Sequence, residues 1–218
     1  MHSDQLRDLL EAQQQIIKQI ALQTDLHRCL RSICLQIESI LQESHAKASI
    51  LLLEGNVLHH GAAPSLPDSY NEKIDGLVIG PGVGSCGTAA FTKKQVIVSD
   101  IATDPFWSNF KDIAAAHELK ACWSTPIFSS RDEVLGTFAI YYPYVASPTE
   151  YHQELIARFA NFASLSIERE QAHQRETRLL EQLALTNAKL EGLVEVIPDL
   201  VIVLDESGNY VDLYGAGA

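Results

Sequence analysis

Three glycines stand within five residues at Gly80, Gly82 and Gly84, near the centre of a chain of 218 residues. Such clustering predicts a tight turn whose backbone needs positive φ angles, because glycine adopts them at little cost. Glycines before a helix can also cradle a phosphate with their N–H groups. The segment lacks the lysine of a Walker loop and the glycine spacing of a dinucleotide-binding loop, so the tight turn is the preferred interpretation.

Short strands separated by turns dominate the centre of the chain. The apolar runs predict strands over residues 48–54, 57–60, 77–79, 96–98, 120–128 and 133–142. A short helix is predicted over residues 86–91, capped by Ser85, and a loop over residues 61–75. We therefore predict an α/β (α+β) fold with a central antiparallel sheet of about six strands, flanked by helices and extended by long N- and C-terminal helices.

Two helices are predicted before the first strand. The first has a short heptad pattern, which could join two copies of the chain or pack within one copy. Its members are Leu6, Leu9, Gln13, Ile16 and Ile20. The second helix is predicted to begin near Thr24, whose hydroxyl can cap it.

The last predicted helix is long. Ser147 is expected to cap it, with Pro148 at the first helical position and Glu150 completing a capping box. From Leu155 to Ile197 a heptad register continues without a slip, although four of its positions are polar. This pattern favours a dimeric coiled coil over a solvated linker helix. The helix is predicted to end at Pro198, before a hairpin over residues 200–213 that resembles the start of a second domain.

Composition and charge exclude several functions. The apolar fraction of 46% suffices for one well-packed domain with connecting helices, and the net charge of −12 disfavours binding to nucleic acid. No apolar run is long enough to insert directly into a membrane, and the polar start of the chain does not resemble a signal peptide. We therefore expect a cytoplasmic protein.

The four cysteines carry the first chemical hypothesis. Cys29, Cys34, Cys86 and Cys122 contain no C-x-x-C pair, so we expect free thiols and no metal site. Cys86 begins a short helix, whose dipole lowers the pKa of a thiol. Cys86 and Cys122 are therefore candidate redox residues, and the alternative is that they are buried and inert.

Polar and aromatic residues between the later strands carry the second hypothesis. Together with Cys86 they predict a pocket for a small ligand, whereas singly each could cap a turn or fill the core. The candidates are Asp100, Asp104, Phe106, Trp107, His117, Trp123 and Thr125. The sequence contains neither a Gly-x-Ser-x-Gly nucleophile motif nor His-x-x-x-His spacing, so we predict no catalytic residue and no required cofactor.

Four sequence blocks resemble the GAF family of bacterial sensory domains. They are Gly-Ser-Cys-Gly-Thr-Ala-Ala (Gly84–Ala90), Val-Ser-Asp-Ile-Ala-Thr-Asp-Pro-Phe-Trp (Val98–Trp107), Ala-Cys-Trp-Ser-Thr-Pro-Ile (Ala121–Ile127) and Leu-Gly-Thr-Phe-Ala-Ile-Tyr-Tyr (Leu135–Tyr142). The resemblance implies a GAF domain over residues 24–168, preceded by a dimerisation helix over residues 1–23. A coiled-coil linker over residues 169–190 and the truncated start of a PAS domain over residues 191–218 would follow.

The resemblance implies a non-enzymatic sensor in a multidomain parent. Such a domain would bind a small ligand or sense redox state, form a homodimer and control an output module of the histidine-kinase or GGDEF/EAL type, the latter acting in cyclic di-GMP turnover. One alternative is free methionine-(R)-sulfoxide reductase, because Cys86 matches a cysteine of that family's Val-Cys-Gly-Thr-Ala motif. The family's second motif is without its cysteine here, as residues 104–109 contain none. Another alternative is a ligand-free dimerisation scaffold.

Overall fold

The computed structural model describes residues 2–22, 25–196 and 201–214. The chain divides into two compact units, Met1–Arg169 and Glu170–Ala218. Among the described residues, no helix combines the length and the apolar content needed to cross a bilayer.

Six α-helices and eight β-strands make up the described chain. The helices are α1 (His2–Ala21), α2 (Leu26–Ile40), α3 (Asp68–Ile74), α4 (Gly84–Thr92), α5 (Lys111–Ala116) and α6 (Glu150–Val196). The strands are β1 (Lys47–Glu54), β2 (Val57–Ala62), β3 (Leu77–Val78), β4 (Val96–Val98), β5 (Ala121–Phe128), β6 (Val134–Tyr142), β7 (Val201–Leu204) and β8 (Tyr210–Tyr214).

Strands β1 to β6 form one sheet in the first unit, in the order β3-β2-β1-β6-β5-β4. All five pairings are antiparallel, and β6 lies at the centre between β1 and β5. The predicted α+β fold with about six antiparallel strands and flanking helices is therefore confirmed.

The two faces of the sheet bury two separate cores. Successive side chains of a strand point to opposite faces, so β5 contributes Cys122 to one core and Trp123 to the other. The Trp123 core packs against α2 and against the first turns of α6. The Cys122 core packs against α3 and α4, and it is the face that carries the candidate site.

The loop predicted over residues 61–75 is wrong in part. Strand β2 continues to Ala62, and α3 occupies the second half of the segment, where Tyr70 and Ile74 are buried four residues apart on one helical face. The two prolines that suggested a loop precede α3, and Pro67 is its N-cap residue.

Two serines predicted to cap helices do not do so. Helix α4 begins at Gly84 after Val83 and has no side-chain cap, so Ser85 lies inside the helix. Helix α6 begins at Glu150, and Ser147 before it instead shares a hydrogen bond of 2.8 Å with the Ser99 hydroxyl. Both hydroxyls have tertiary partners, which local sequence does not reveal.

The N-terminal helices pack on one another. Ile16 of α1 is 1% exposed in the same core as α2, and the Gln36 side-chain amide donates to Gln15 over 2.7 Å. This half of the predicted seam therefore packs within the chain, whereas the side chains of Leu6 and Leu9 lie outside the described residues. The cap of α2 is Asp25, whose carboxylate accepts from the Arg28 N–H, and Thr24 also lies outside the described residues.

The second unit contains the rest of α6 and a hairpin of β7 and β8. Every side chain of residues 171–190 is exposed. In the hairpin turn, the Asp205 carboxylate accepts from the N–H groups of Ser207 and Asn209, which confirms the predicted turn. The predicted helix stop at Pro198 lies outside the described residues.

Candidate functional site

A small cavity lies between the sheet, α3 and α4. Its volume is about 20 Å³, which is room for one water molecule. It is lined by Tyr70, Ile74, Leu77, Val83, Gly84, Ser85, Cys86, Trp107, Phe110 and Tyr141. In this conformation the cavity therefore has room only for a molecule about the size of water.

The glycine-rich turn places the first turn of α4 against this cavity. Gly82 and Gly84 have φ angles of +75° and +57°, which confirms the tight-turn interpretation. Because the turn ends at Gly84, Ser85 and Cys86 follow at once and lie buried on the sheet.

A chain of buried hydrogen bonds joins three elements beside the cavity. The Trp107 indole Nε1 donates to the Ser85 Oγ over 2.9 Å, and the Ser85 hydroxyl donates to the Cys122 carbonyl oxygen over 3.3 Å. Ser85 thereby fixes α4 both to β5 and to the 3-10 turn Pro105–Trp107.

The Cys86 sulfur lies among hydroxyl groups of the sheet. The Tyr141 hydroxyl is 3.9 Å from it and also shares a hydrogen bond of 3.2 Å with Ser49. Hydrogen bonding from the Cys122 thiol, which outweighs burial, lowers the pKa of Cys86 to about 7, and the hydroxyls of Ser124, Thr137 and Tyr141 act in the same direction. For Cys122 itself, burial raises the pKa well above its usual value.

Tyr70 of α3 lines the cavity and contacts two other aromatic rings. Its ring meets the Tyr141 ring edge-on, with centroids 5.8 Å apart, and the His117 ring in the same way at 5.7 Å. The Ser69 hydroxyl is 3.4 Å from the His117 Nε2, so α3 is held to the end of α5 by few polar contacts.

The structure brings only part of the predicted pocket together. Cys86, Cys122 and Trp107 lie in the core beside the cavity, and Phe106 packs against that core half-buried. His117 reaches the site through its contact with Tyr70.

Two aspartates lie away from the cavity. The Asp104 carboxylate accepts from the Phe106 N–H over 2.8 Å and caps the 3-10 turn. The Asp100 carboxylate accepts from the Ala102 N–H and the Thr103 hydroxyl, and it lines a separate, open groove of about 540 Å³ with Lys111.

Trp123 is buried on the opposite face of the sheet, and strand alternation puts Thr125 on that face too. The Trp123 indole donates to the Ala146 carbonyl oxygen over 3.0 Å, and Thr125 accepts from the Gln95 amide over 3.0 Å. The structure therefore does not bring these two residues to the cavity.

Sequence reasoning missed Tyr70, Tyr141, Ser124 and Thr137 as members of the site. The last three share the sheet face of Cys122, because they stand two or four residues apart along β5 and β6. The alternation of side chains along a strand could have identified Thr137 and Tyr141, because it places both on one face of β6. The sequence contains no comparable signal for Tyr70, because the prolines that precede it predict a loop.

All four cysteines are buried free thiols. Within the described part of the chain, no group of three or more His, Cys, Asp or Glu side chains could hold a metal ion.

The fold is that of a class of small α+β modules. In this class a six-stranded antiparallel sheet carries helices on both faces and a cavity under its short helices. The chain belongs to the GAF domain family, whose sequence model matches residues 23–168. GAF domains are sensory domains, and this assignment confirms the resemblance seen in the four sequence blocks.

One relative and two solved structures illustrate the family. The chain is 37% identical over 165 residues to the methyl sulfide methyltransferase-associated sensor of Methanosarcina acetivorans. That alignment covers 76% of this chain and 16% of the relative, so the chain spans about one sixth of the relative's length.

The first structure is a domain of a sensor histidine kinase protein from Sinorhizobium meliloti, with 17% identity, a TM-score of 0.58, and coverage of 71% of this chain and 98% of the other. The second is free methionine-R-sulfoxide reductase from Neisseria meningitidis with its substrate, at 18% identity and a TM-score of 0.55, covering 73% and 87%. At these identities both comparisons support the fold alone.

Proposed function

We propose that this chain is the sensory input segment of a larger signalling protein. A small ligand or a redox change at the cavity beneath α3 and α4 would alter the sheet, and α6 would relay the change to an output domain. The observation that carries this proposal is a cavity lined by Tyr70 and by Cys86, a thiol of lowered pKa, in a chain related to a named sensor.

The packing of α6 supports a mechanical relay. Leu155, Ile156 and Phe159 of α6 are buried in the core that contains Trp123 and Ile140. Those two residues belong to β5 and β6, whose opposite face presents Cys122 and Tyr141 to the site. A shift of these strands caused at the cavity would therefore reach α6 through a single layer of side chains.

Polar contacts also tie α6 to the turn between the same strands. The Ser164 hydroxyl donates to the Phe128 carbonyl oxygen over 2.6 Å, and the Glu168 carboxylate accepts from the N–H and the hydroxyl of Ser130. Hydrogen bonds thus attach α6 to the β5–β6 hairpin at two places.

We further propose that α6 pairs with its copy in a homodimeric coiled coil. Leu179, Leu183 and Leu190 lie on the heptad register and are exposed. Leu183 and Leu185 are each 58% exposed, but Leu185 lies off the register and serves as a matched control. Leu183→Glu should shift the light-scattering mass toward the monomer, whereas Leu185→Glu should leave it unchanged, and equal masses for both variants would contradict the pairing.

The ligand is tested by native mass spectrometry of the purified chain. A retained small molecule that is lost in a Tyr70→Ala variant would support binding at the cavity. A bare mass under gentle conditions, together with no response to oxidants, would favour the dimerisation scaffold. The reductase alternative predicts NADPH consumption with free methionine sulfoxide in a coupled assay, and we expect none.

The proposal extends to the larger protein that contains this chain. We assign residues 1–23 and 169–190 to signalling helices and residues 191–218 to the start of a PAS domain. The output would be a kinase or an enzyme of cyclic di-GMP turnover, in a cytoplasmic protein that does not bind nucleic acid.

A further inference from the structure

Two hydroxyl groups beside Cys86 have no partner. Ser124 of β5 and Thr137 of β6 are 0% exposed, and neither side-chain oxygen has a hydrogen-bond partner among the described residues. Burying an unpaired hydroxyl costs free energy, so such groups in a folded core need an explanation. Both lie near enough to the Cys86 sulfur to lower its pKa, although neither forms a bond of good geometry with the neutral thiol.

The arrangement suits an anion at Cys86 better than a thiol. A neutral thiol is a weak acceptor, whereas a thiolate, or the oxygen of a sulfenate, accepts several strong hydrogen bonds. Ser124, Thr137 and Tyr141 would supply hydroxyl donors from the sheet, and the neighbouring Cys122 thiol also favours the charged form of Cys86. The two unpaired hydroxyls are thus satisfied when Cys86 carries charge.

Cys86 is also the cysteine that a small oxidant can reach. It is the one thiol that lines the cavity, and it is 7% exposed, whereas Cys122 behind it is fully buried. A cavity that holds one water molecule admits a molecule of similar size such as hydrogen peroxide. With its pKa lowered to about 7, a substantial fraction of Cys86 is thiolate at neutral pH, which is the form that attacks peroxides.

We propose that Cys86 is a peroxide-reactive cysteine and that Cys122 captures its oxidised form as an intramolecular disulfide. This inference rests on the proposed sensory function, and it names a peroxide as the input at that site. The pairing joins α4 to β5, the strand whose other face packs against α6.

The reaction balances without any further reagent. The Cys86 thiolate attacks one peroxide oxygen, the O–O bond breaks, and Cys86 becomes a sulfenic acid while hydroxide leaves and takes up a proton to form water. The Cys122 sulfur then attacks the sulfenic sulfur, the S–O bond breaks, and the leaving hydroxide takes the thiol proton as a second water. Two thiols are oxidised by two electrons and one peroxide is reduced to two waters.

The oxidation also supplies a structural signal. The Cys86 and Cys122 thiols lie in the same buried core and are close enough for each to shift the pKa of the other, and a disulfide requires their sulfurs to approach to about 2.05 Å. Ser85, next to Cys86, donates to the Cys122 carbonyl oxygen, so we expect the approach of the two sulfurs to strain this contact between α4 and β5.

The test is titration of the full chain with hydrogen peroxide, followed by peptide mapping under non-reducing conditions. We expect a mass loss of two hydrogens and a peptide linked through Cys86 and Cys122. Cys34 is an internal control, because it is fully buried and burial raises its pKa, so it should stay reduced. A Cys122→Ser variant should stop at a sulfenic acid on Cys86 that dimedone traps.

The hydroxyl donors are tested separately with Ser124→Ala and Thr137→Val, whose melting temperatures establish that they fold. Each should slow the oxidation of Cys86 several-fold at pH 7. An unreactive Cys86 in the folded wild-type chain, or oxidation of Cys34 at the same rate, overturns the inference. Either result would leave the proposed sensory function intact if native mass spectrometry still finds a small ligand bound to the chain. A Cys86–Cys122 disulfide that forms without changing hydrogen exchange in α6 instead counts against the relay.

Discussion

Replacing Ser85 by alanine should destabilise the domain through an unpaired indole. Ser85 and Trp107 are both buried, and the Ser85 oxygen is the acceptor of the Trp107 Nε1–H at 2.9 Å. Its removal leaves a buried donor without a partner, which costs about 1–3 kcal/mol. For a unit of this size a loss of about 2 kcal/mol lowers the Tm by roughly 4–8 °C.

The assay is urea denaturation monitored by far-UV circular dichroism. Tryptophan fluorescence is unsuitable, because the comparison also uses a variant without Trp107. Trp107→Phe removes the donor and keeps an aromatic ring, so the double variant Ser85→Ala/Trp107→Phe leaves no unpaired indole. We expect the double variant to be more stable than the sum of the single losses predicts, by about 1 kcal/mol. A Ser85→Ala chain within about 0.5 kcal/mol of the wild type, or strictly additive losses, would refute the reasoning.

Two further predictions concern the sheet and the thiol. A Cβ at Gly136 would overlap the Leu51 carbonyl oxygen, so Gly136→Ala should lower the free energy of unfolding by about 3 kcal/mol. Gly192 has open space around it, so the control variant Gly192→Ala should not lower the stability of the chain. The midpoints of urea denaturation of the two variants test this difference. The pKa of Cys86 falls from 9.0 to about 7 on folding, so between these pH values the unfolded chain binds more protons. Stability should therefore rise with pH across this window, and a Cys86→Ser variant should lose that slope in urea titrations at several pH values.

Apolar runs bounded by turn residues are a sufficient guide to the sheet, because β5 and β6 are buried on both faces. The predicted strand Val96–Val98 matches β4, and β5 and β6 begin within one residue of their predicted starts. Helix α3 was missed because Pro64 and Pro67 suggest a loop, while the burial of Tyr70 that stabilises the helix is a tertiary effect.

The candidate site was predicted less completely than the fold. Of the predicted ligand-binding residues, Cys86 and Trp107 line the cavity, and their role in binding stays a prediction. Trp123 was grouped with them, although its position one residue from Cys122 in β5 puts it on the other face. The alternation of side chains along β5 separates Trp123 from Cys122, but the face that carries the cavity depends on where α4 packs.

The small volume of the cavity limits how tightly a large ligand could bind. A ligand much larger than water or peroxide would enter only molecules in which a lining element has moved, so its apparent dissociation constant would be the intrinsic one divided by the fraction of open molecules. An open fraction of about 1% would weaken the apparent affinity about 100-fold. If the domain binds such a ligand, the contacts that hold Tyr70 against Tyr141 and His117 would help to set the concentration at which it responds, separately from the groups that recognise the ligand.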